Sequence, residues 1–310
     1  MSRLALSVIV PTKNRPEPLE RLVQLLLAQT VQPDELIVVD QTLGNGARRR
    51  LEELWTRFDH SGPVLSYIHD PGIPGAAVAR NRGIEAARGE IWLFLDDDME
   101  PERDFVEQLL AVYENDPSVD GVSGVVSNYQ VPSRAFRIWS ALFLRGPFHD
   151  ERQPIYWNAE RLRQSGPIPV RKFGSGLMSV RAEVARNVRF DERLRGLPPG
   201  EDLDFCARLG PAANLVMAPR ARIAHRPSET GRARDYWIRE YAQGKLYVYY
   251  RNWRRGVRNR FACVWFEIGC ALVVSLASIR RRSLSPWSAF LLGVREAARL
   301  GAAARSSGGG

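Results

Sequence analysis

Apolar residues in the first third of the chain switch between two periods. Short, nearly continuous apolar runs at Leu4 to Val10, Glu35 to Asp40, Val64 to His69 and Ile91 to Leu95 predict buried strands. Between them, apolar residues recur at helical spacing, as in Leu19, Leu22, Val23, Leu26 and Leu27. This predicts helices over Glu17 to Gln29, Arg48 to Phe58, Gly75 to Arg88 and Pro101 to Tyr113. Strands that are apolar on both faces and separated by helices predict an α/β fold: a Rossmann-like, mostly parallel central sheet with helices on both faces. After the fourth strand the rhythm changes. Val119 to Val126 and Lys172 to Val180 read as further strands, and Gly200 to Phe205 opens a short helix. Arg134 to Asn158 is rich in aromatics and arginines without a clean period, which fits either an excursion shaping a pocket or a surface helix with a packed aromatic face.

Open sheets of this kind bind ligands beyond the carboxyl ends of their strands. Four polar clusters fall there: Pro11 to Arg15, Asp40 to Thr42, Pro71 to Gly75, and the triplet Asp96, Asp97 and Asp98. Clustered carboxylates at a strand end offer hard oxygen ligands to a divalent cation. Taken alone, such a triplet is more often a solvated acidic turn or a helix N-terminal charge cluster than a metal site. No G-x-G-x-x-G follows the first strand and no Walker P-loop occurs, which argues against dinucleotide cofactors and P-loop phosphate binding.

The net charge of +9 sharpens the picture through its distribution. From Arg220 onward there are 18 Lys and Arg against 5 Asp and Glu; the preceding part has 26 against 30. The basic excess belongs to the tail, where arginines bracket apolar helical sequence and no nucleic-acid motif accompanies them. An anionic membrane surface is therefore the expected partner, rather than nucleic acid. The three cysteines form neither a C-x-x-C pair nor a zinc-spaced cluster, and Met1 runs straight into strand-like sequence without a signal-peptide pattern. Both observations predict a cytoplasmic setting.

With these elements placed, six motifs in order resemble the family 2 glycosyltransferases of inverting type with a GT-A fold. They are Ser7 to Arg15 (SVIVPTKNR), Ile37 to Asp40 (IVVD), Ala79 to Gly83 (ARNRG), Phe94 to Asp98 (FLDDD), Gly174-Ser175-Gly176, and Gly200 to Phe205 (GEDLDF), covering about Leu4 to His225. The resemblance implies a nucleotide-diphosphate-sugar donor and a glycan or lipid-linked acceptor. It also implies a divalent metal, Mg²⁺ or Mn²⁺, held by Asp98, with His225 as a late ligand. Pro11, Thr12, Asn14, Arg15, Asp40, Arg80, Asp96 and Asp97 would bind the nucleotide-sugar, the division between Asp96 and Asp97 staying open. Asp202 would be the catalytic base, while Gly174, Ser175, Gly176 and Glu201 would support the acceptor side. Other readings stand beside these: a turn cap for Asp40, a surface ion pair for Arg80, a plain surface or core residue for His225, and a helix N-terminal acidic cluster for Glu201, Asp202 and Asp204. The Gln-x-x-Arg-Trp motif associated with processive members is absent, which implies a single addition.

The same reading divides the chain into a GT-A domain over 1–228 and a basic, apolar helical extension over 229–310. Within the extension, Phe261 to Ile279 carries one charge, Glu267, and is flanked by arginines; Pro286 to Leu300 forms a second amphipathic pattern, and Ser306 to Gly310 reads as a disordered end. Helices lying in the cytoplasmic leaflet, a true span, and a soluble packing surface all fit, so the expected location is the cytoplasmic face of the membrane, peripheral or integral. The alternative function is a non-catalytic protein of the same fold that binds nucleotide-sugars or scaffolds partners.

Overall fold

The computed structural model describes residues 3–56, 62–174, 176–194, 200–227 and 234–306. Its elements follow the predicted alternation: β1 (Leu6–Thr12), α1 (Pro16–Leu27), β2 (Glu35–Asp40), α2 (Gly46–Trp55), β3 (Val64–His69), α3 (Ala76–Ala86) and β4 (Ile91–Leu95). Then come β5 (Met99–Pro101), α4 (Phe105–Asn115), β6 (Gly121–Val126), α5 (Arg134–Phe143), a 3₁₀ turn (Gly146–Phe148), α6 (Arg152–Trp157), β7 (Ile168–Val170), β8 (Leu177–Arg181) and α7 (Ala182–Ala185). The chain continues through α8 (Glu201–Leu209), β9 (Leu215–His225), α9 (Arg234–Val248), a π-helical turn (Tyr249–Trp253), α10 (Val257–Arg281) and α11 (Ser285–Ser306).

Chain contacts separate two units. The first holds 1–130, 151–192 and 205–228; the second holds 131–150, 193–204 and 229–310. The whole nine-stranded sheet lies in the first unit, in the order β3-β2-β1-β4-β8-β6-β9-β5, with β7 on β9. Strands β3, β2, β1 and β4 are mutually parallel, β8 runs antiparallel between β4 and β6, and β6 is parallel to β9. The pleat sorts side chains into two cores, because successive residues point to opposite faces. Leu6, Val8 and Val10 pack with Leu36, Val38 and Leu93 under α1, α2 and α4. Ile9 packs with Ile37, Val39 and Phe94 on the other face, toward α3.

Three elements depart from the sequence expectation. Pro101 ends a strand instead of opening a helix: it pairs with Ile223 on β9, and α4 starts at Phe105. A proline tolerates an edge position because it has no N–H to contribute to the ladder. The strand expected from Lys172 begins at Leu177, preceded by an isolated bridge between Gly174 and Leu177. In sequence, Leu215 to Ala218 reads as an apolar segment followed by a link through Arg222; in the structure both belong to an 11-residue strand that continues to His225. The end of the helix expected to reach Phe58 lies outside the described residues, as does 307–310 of the tail.

In the second unit, α5 docks on α10 at a glycine: a Cβ on Gly269 would stand 2.4 Å from the Phe143 ring, and the Trp139 indole N–H donates to the Gly269 carbonyl at 2.9 Å. Phe148 stacks on Phe266 at 4.3 Å. Helix α10 buries Ala262, Cys263, Phe266, Cys270 and Val274, while Phe261, Val264, Ile268, Leu272, Leu276 and Ile279 form an exposed apolar stripe along it. It is one helix long and apolar enough to cross a membrane by length and composition.

The fit of α3 on β1 is equally close, since a Cβ on Gly83 would lie 2.3 Å from Ile9 Cγ2. Gly83→Ala is expected to lower stability by about 1–3 kcal/mol through overpacking, checked by the denaturant midpoint. An unchanged midpoint would contradict this packing.

Candidate active site

Parallel pairing sets the carboxyl edge. The β1/β2 register places Thr12 beside Asp40, and β4 ends one residue before Asp96. The three aspartates are held differently because each reaches a different element. Asp97 is buried and accepts from Thr12 Oγ1 at 2.6 Å and from Arg15 Nη1 at 3.0 Å. The same Arg15 nitrogen reaches Asp98 Oδ2 at 3.0 Å. Asp96 is more exposed and takes Arg80 Nη2 at 2.6 Å. Arg15 can do this because it sits immediately before α1, whose first residue is Pro16; a proline suits a helix start.

Asp98 is joined to His225 by ladder register. Strand β5 begins at Met99, whose partner on β9 is His225, so the residue before Met99 lies beside the imidazole. His225 Nε2 stands 3.3 Å from Asp98 Oδ1, a buried oxygen that accepts no well-formed hydrogen bond among the described residues. A buried, under-satisfied carboxylate oxygen next to an imidazole nitrogen is a donor set that a divalent cation fits. No group of three or more His, Cys, Asp or Glu side chains among the described residues is arranged for a metal, so these two atoms are a partial ligand set.

Arg80 is buried, so its pair with Asp96 is not the surface ion pair weighed from sequence; its guanidinium also lies 5.4 Å from the centre of the Phe190 ring. Asp40 is fully buried, with Oδ2 accepting from the Tyr67 hydroxyl and Oδ1 from the Thr42 N–H at 2.8 Å. Asn14 adopts φ +57° and donates its N–H to Thr42 Oγ1 at 2.8 Å; asparagine tolerates this left-handed conformation better than most residues. Pro11 is buried within β1 opposite Val39. Gly176 backs the triplet directly: a Cβ there would fall 2.4 Å from Asp96 Oδ2. Gly174 bridges to Leu177, and Ser175 lies outside the described residues.

The structure therefore brings Thr12, Arg15, Asp96, Asp97, Asp98, Arg80, Gly176 and His225 into one contact network within the first unit. Glu201 and Asp202 belong to the second unit, in the first turn of α8, where Asp202 Oδ1 accepts the Leu203 N–H at 2.8 Å. Two supporting asparagines escaped the sequence reading. Asn128 exchanges both hydrogen bonds with the backbone of His225, at 2.7 and 2.8 Å, and fixes where the imidazole starts. Asn81 does the same for Phe190, at 3.0 and 2.8 Å, beneath Arg80. Asn81 carried a signal through its place in the ARNRG motif; Asn128 carried none, since its role depends on strand pairing.

Burial, aided by the neighbouring Asp98 charge, pushes the Asp97 carboxyl up to about 6, with Thr12 and Arg15 pulling the other way. His225 is raised by its polar contact with the Asp98 carboxylate, against the effect of burial.

This open α/β sheet, with carboxylates, arginines and a histidine at its carboxyl edge, has the GT-A fold. Across 97% of the chain it superposes on 88% of a mannosyltransferase from Pyrobaculum calidifontis in complex with GDP-Man and Mn²⁺, with a TM-score of 0.60 and 16% identity. Residues 7–182 match the family described as Glycosyl transferase family 2, and the chain belongs to that family. It is 30% identical over 125 residues, 40% of the chain, to a glucosyl-dolichyl phosphate glucuronosyltransferase of Haloferax volcanii, covering 38% of that protein. It is 28% identical over 221 residues, 71% of the chain, to the pre-mycofactocin glycosyltransferase of Mycobacterium tuberculosis, covering 42% of it. The chain thus spans less than half the length of either relative.

The raised Asp97 carboxyl predicts a pH effect. A carboxyl whose folded value lies above its unfolded one contributes stability in acid, and that contribution is lost as pH rises through about 6. In EDTA, Asp97→Asn should therefore stabilise the protein increasingly, relative to wild type, between about pH 4 and about pH 6, by on the order of 3 kcal/mol in all, and the difference should level off above that range. Denaturant titrations at each pH measure it, and a flat difference would contradict the assignment.

Proposed function

We propose that this chain transfers one sugar from a nucleotide-diphosphate donor to a glycan or lipid-linked acceptor, with inversion at the anomeric carbon. The observation that carries the proposal is the Asp96-Asp97-Asp98 cluster at the sheet edge, with Asp98 Oδ1 and His225 Nε2 placed 3.3 Å apart. Mg²⁺ or Mn²⁺ bound by these two residues, completed by donor oxygens and water, would compensate the charge developing on the departing diphosphate. The Mn²⁺ and GDP-Man of the Pyrobaculum enzyme support a cation and a sugar nucleotide here, and the name of the Haloferax relative supports a lipid-linked acceptor.

The chain's own residues then divide the work. Thr12 and Arg15 orient Asp97, and Arg80 orients Asp96 toward the ribose or diphosphate; Pro11 and Asn14 flank the base. Asp40 holds Tyr67 and the Thr42 N–H at the strand end that receives the base. Asp202 takes the proton from the acceptor hydroxyl as that oxygen bonds to the anomeric carbon; the bond to the diphosphate breaks, and nucleoside diphosphate leaves. Glu201 and the Gly174 to Gly176 segment support the acceptor side.

With Mn²⁺ and a panel of UDP-, GDP- and dTDP-sugars plus glycan and lipid-linked acceptors, one donor should yield nucleoside diphosphate. Asp98→Ala and Asp202→Asn should each lower turnover by about 100- to 10,000-fold. Thermal stabilisation by nucleotide and Mn²⁺ without any turnover would point to the non-catalytic alternative; intact turnover in both variants would dismiss these roles.

The acceptor end works at the cytoplasmic face of an anionic membrane in this proposal. Support comes from the exposed stripe of α10, from Phe261 to Ile279, with Arg258 and Arg260 before it and Arg280, Arg281 and Arg282 after it. Because the stripe is exposed, Ile268→Ser with Leu272→Ser and Leu276→Ser should leave the fold intact. The triple variant should lose flotation with phosphatidylglycerol vesicles, which the wild type shows; equal flotation would remove the membrane reading.

A further inference from the structure

The acidic motif at the start of α8 contains a residue that the reaction does not use directly. Asp204 is fully buried, and both its oxygens are occupied from the tail: Oδ2 by Arg251 Nη1 at 3.1 Å and Oδ1 by Asn252 Nδ2 at 2.9 Å. Sequence places Asp204 in a helix N-terminal acidic cluster; in the structure its carboxylate grips two consecutive side chains of the π-helical turn Tyr249–Trp253. Such a turn, with its wider i→i+5 bonding, re-aims side chains that a regular helix would direct elsewhere, and π turns recur at functional sites. Asn252 Nδ2 is shared with the Val248 carbonyl at 3.2 Å, so the amide is tied to its own turn as well.

Asp202 precedes Asp204 by two residues, and two residues turn an α-helix by about 200°. When Asp204 is drawn inward, Asp202 is directed to the opposite side of the helix, where it is partly exposed. The grip on Asp204 therefore sets the rotation of α8 about its own axis, and with it the direction of the Asp202 carboxylate. Two more contacts within this unit oppose rotation. Leu203 is buried with Leu246 and Val248, and a Cβ on Gly200 would meet the Gly244 carbonyl oxygen of α9 at 3.0 Å.

We infer that Arg251 and Asn252 are positioning residues that act through Asp204 to aim Asp202. This inference rests on Asp202 being the base. The tail thereby has a part in the chemistry apart from any membrane contact.

The test compares nucleoside diphosphate release across the donor panel with binding of UDP and of GDP, each with Mn²⁺, by calorimetry. Arg251→Ala with Asn252→Ala should lower kcat about 100-fold, because small misplacements of a catalytic group are costly, while nucleotide Kd stays within about twofold of wild type. Arg251→Lys, which keeps the charge, should recover part of the loss. Asp204→Asn should reproduce the kcat defect, and hydrogen exchange of the first-turn amides of α8 should quicken in all defective variants. Wild-type kcat in the double variant would overturn the inference, as would parallel losses of kcat and nucleotide affinity that mark general unfolding. An inactive wild type, or an active Asp202→Asn, would instead defeat the underlying reading of Asp202.

Discussion

Three consecutive carboxylates repel one another and lose hydration when drawn into a sheet edge, so they stay in place only if cations and donors meet them from several elements at once. Here Arg15 comes from the start of α1, Thr12 from the end of β1, Arg80 from α3 and His225 from the end of β9. Each needs its own element in correct register, so the sheet order and the site are one constraint. The compensation is incomplete at Asp98 Oδ1, and Asp97 stays above the ordinary carboxyl range. A site that leaves negative charge under-compensated is suited to a positive ligand, and stability in the ligand-free state is sacrificed for it.

Close backbone approach is the second recurring device. Gly83 lets α3 lie against Ile9, and Gly176 leaves room for the Asp96 carboxylate. Gly269 admits Phe143 between α5 and α10 in the second unit. Asparagine does complementary work: Asn81 and Asn128 each exchange both backbone hydrogen bonds with one distant residue, the way a strand neighbour would. These side chains extend sheet-like pairing to places where the strands have ended, fixing Phe190 and His225 without further secondary structure.

Much of this was open to a reading of the chain alone, and the limits have physical causes. The alternation that predicted β1 to β4 is local, because strand and helix periods show within a few residues. Pro101 broke the expectation because its fate depended on β9, more than a hundred residues later. The identities of Asp96, Asp97, Asp98, Arg80 and Asp202 were visible through their motifs, but not their partners. Tyr67 against Asp40, Asn128 against His225 and Arg251 against Asp204 are contacts between segments 27, 97 and 47 residues apart, and no local pattern encodes them.

By itself, then, the sequence determined the layered α/β class, the edge where polar residues gather, the kinds of side chain available for cation and phosphate chemistry, and the basic, apolar character of the tail. Those follow from composition and short-range periodicity. Tertiary structure alone decided that Asp98 faces His225, that Arg80 is buried against the Phe190 ring, and that Asp204 grips the π turn. Such outcomes depend on strand register and helix rotation, which are settled only when distant segments pack and each buried charge must find its partner.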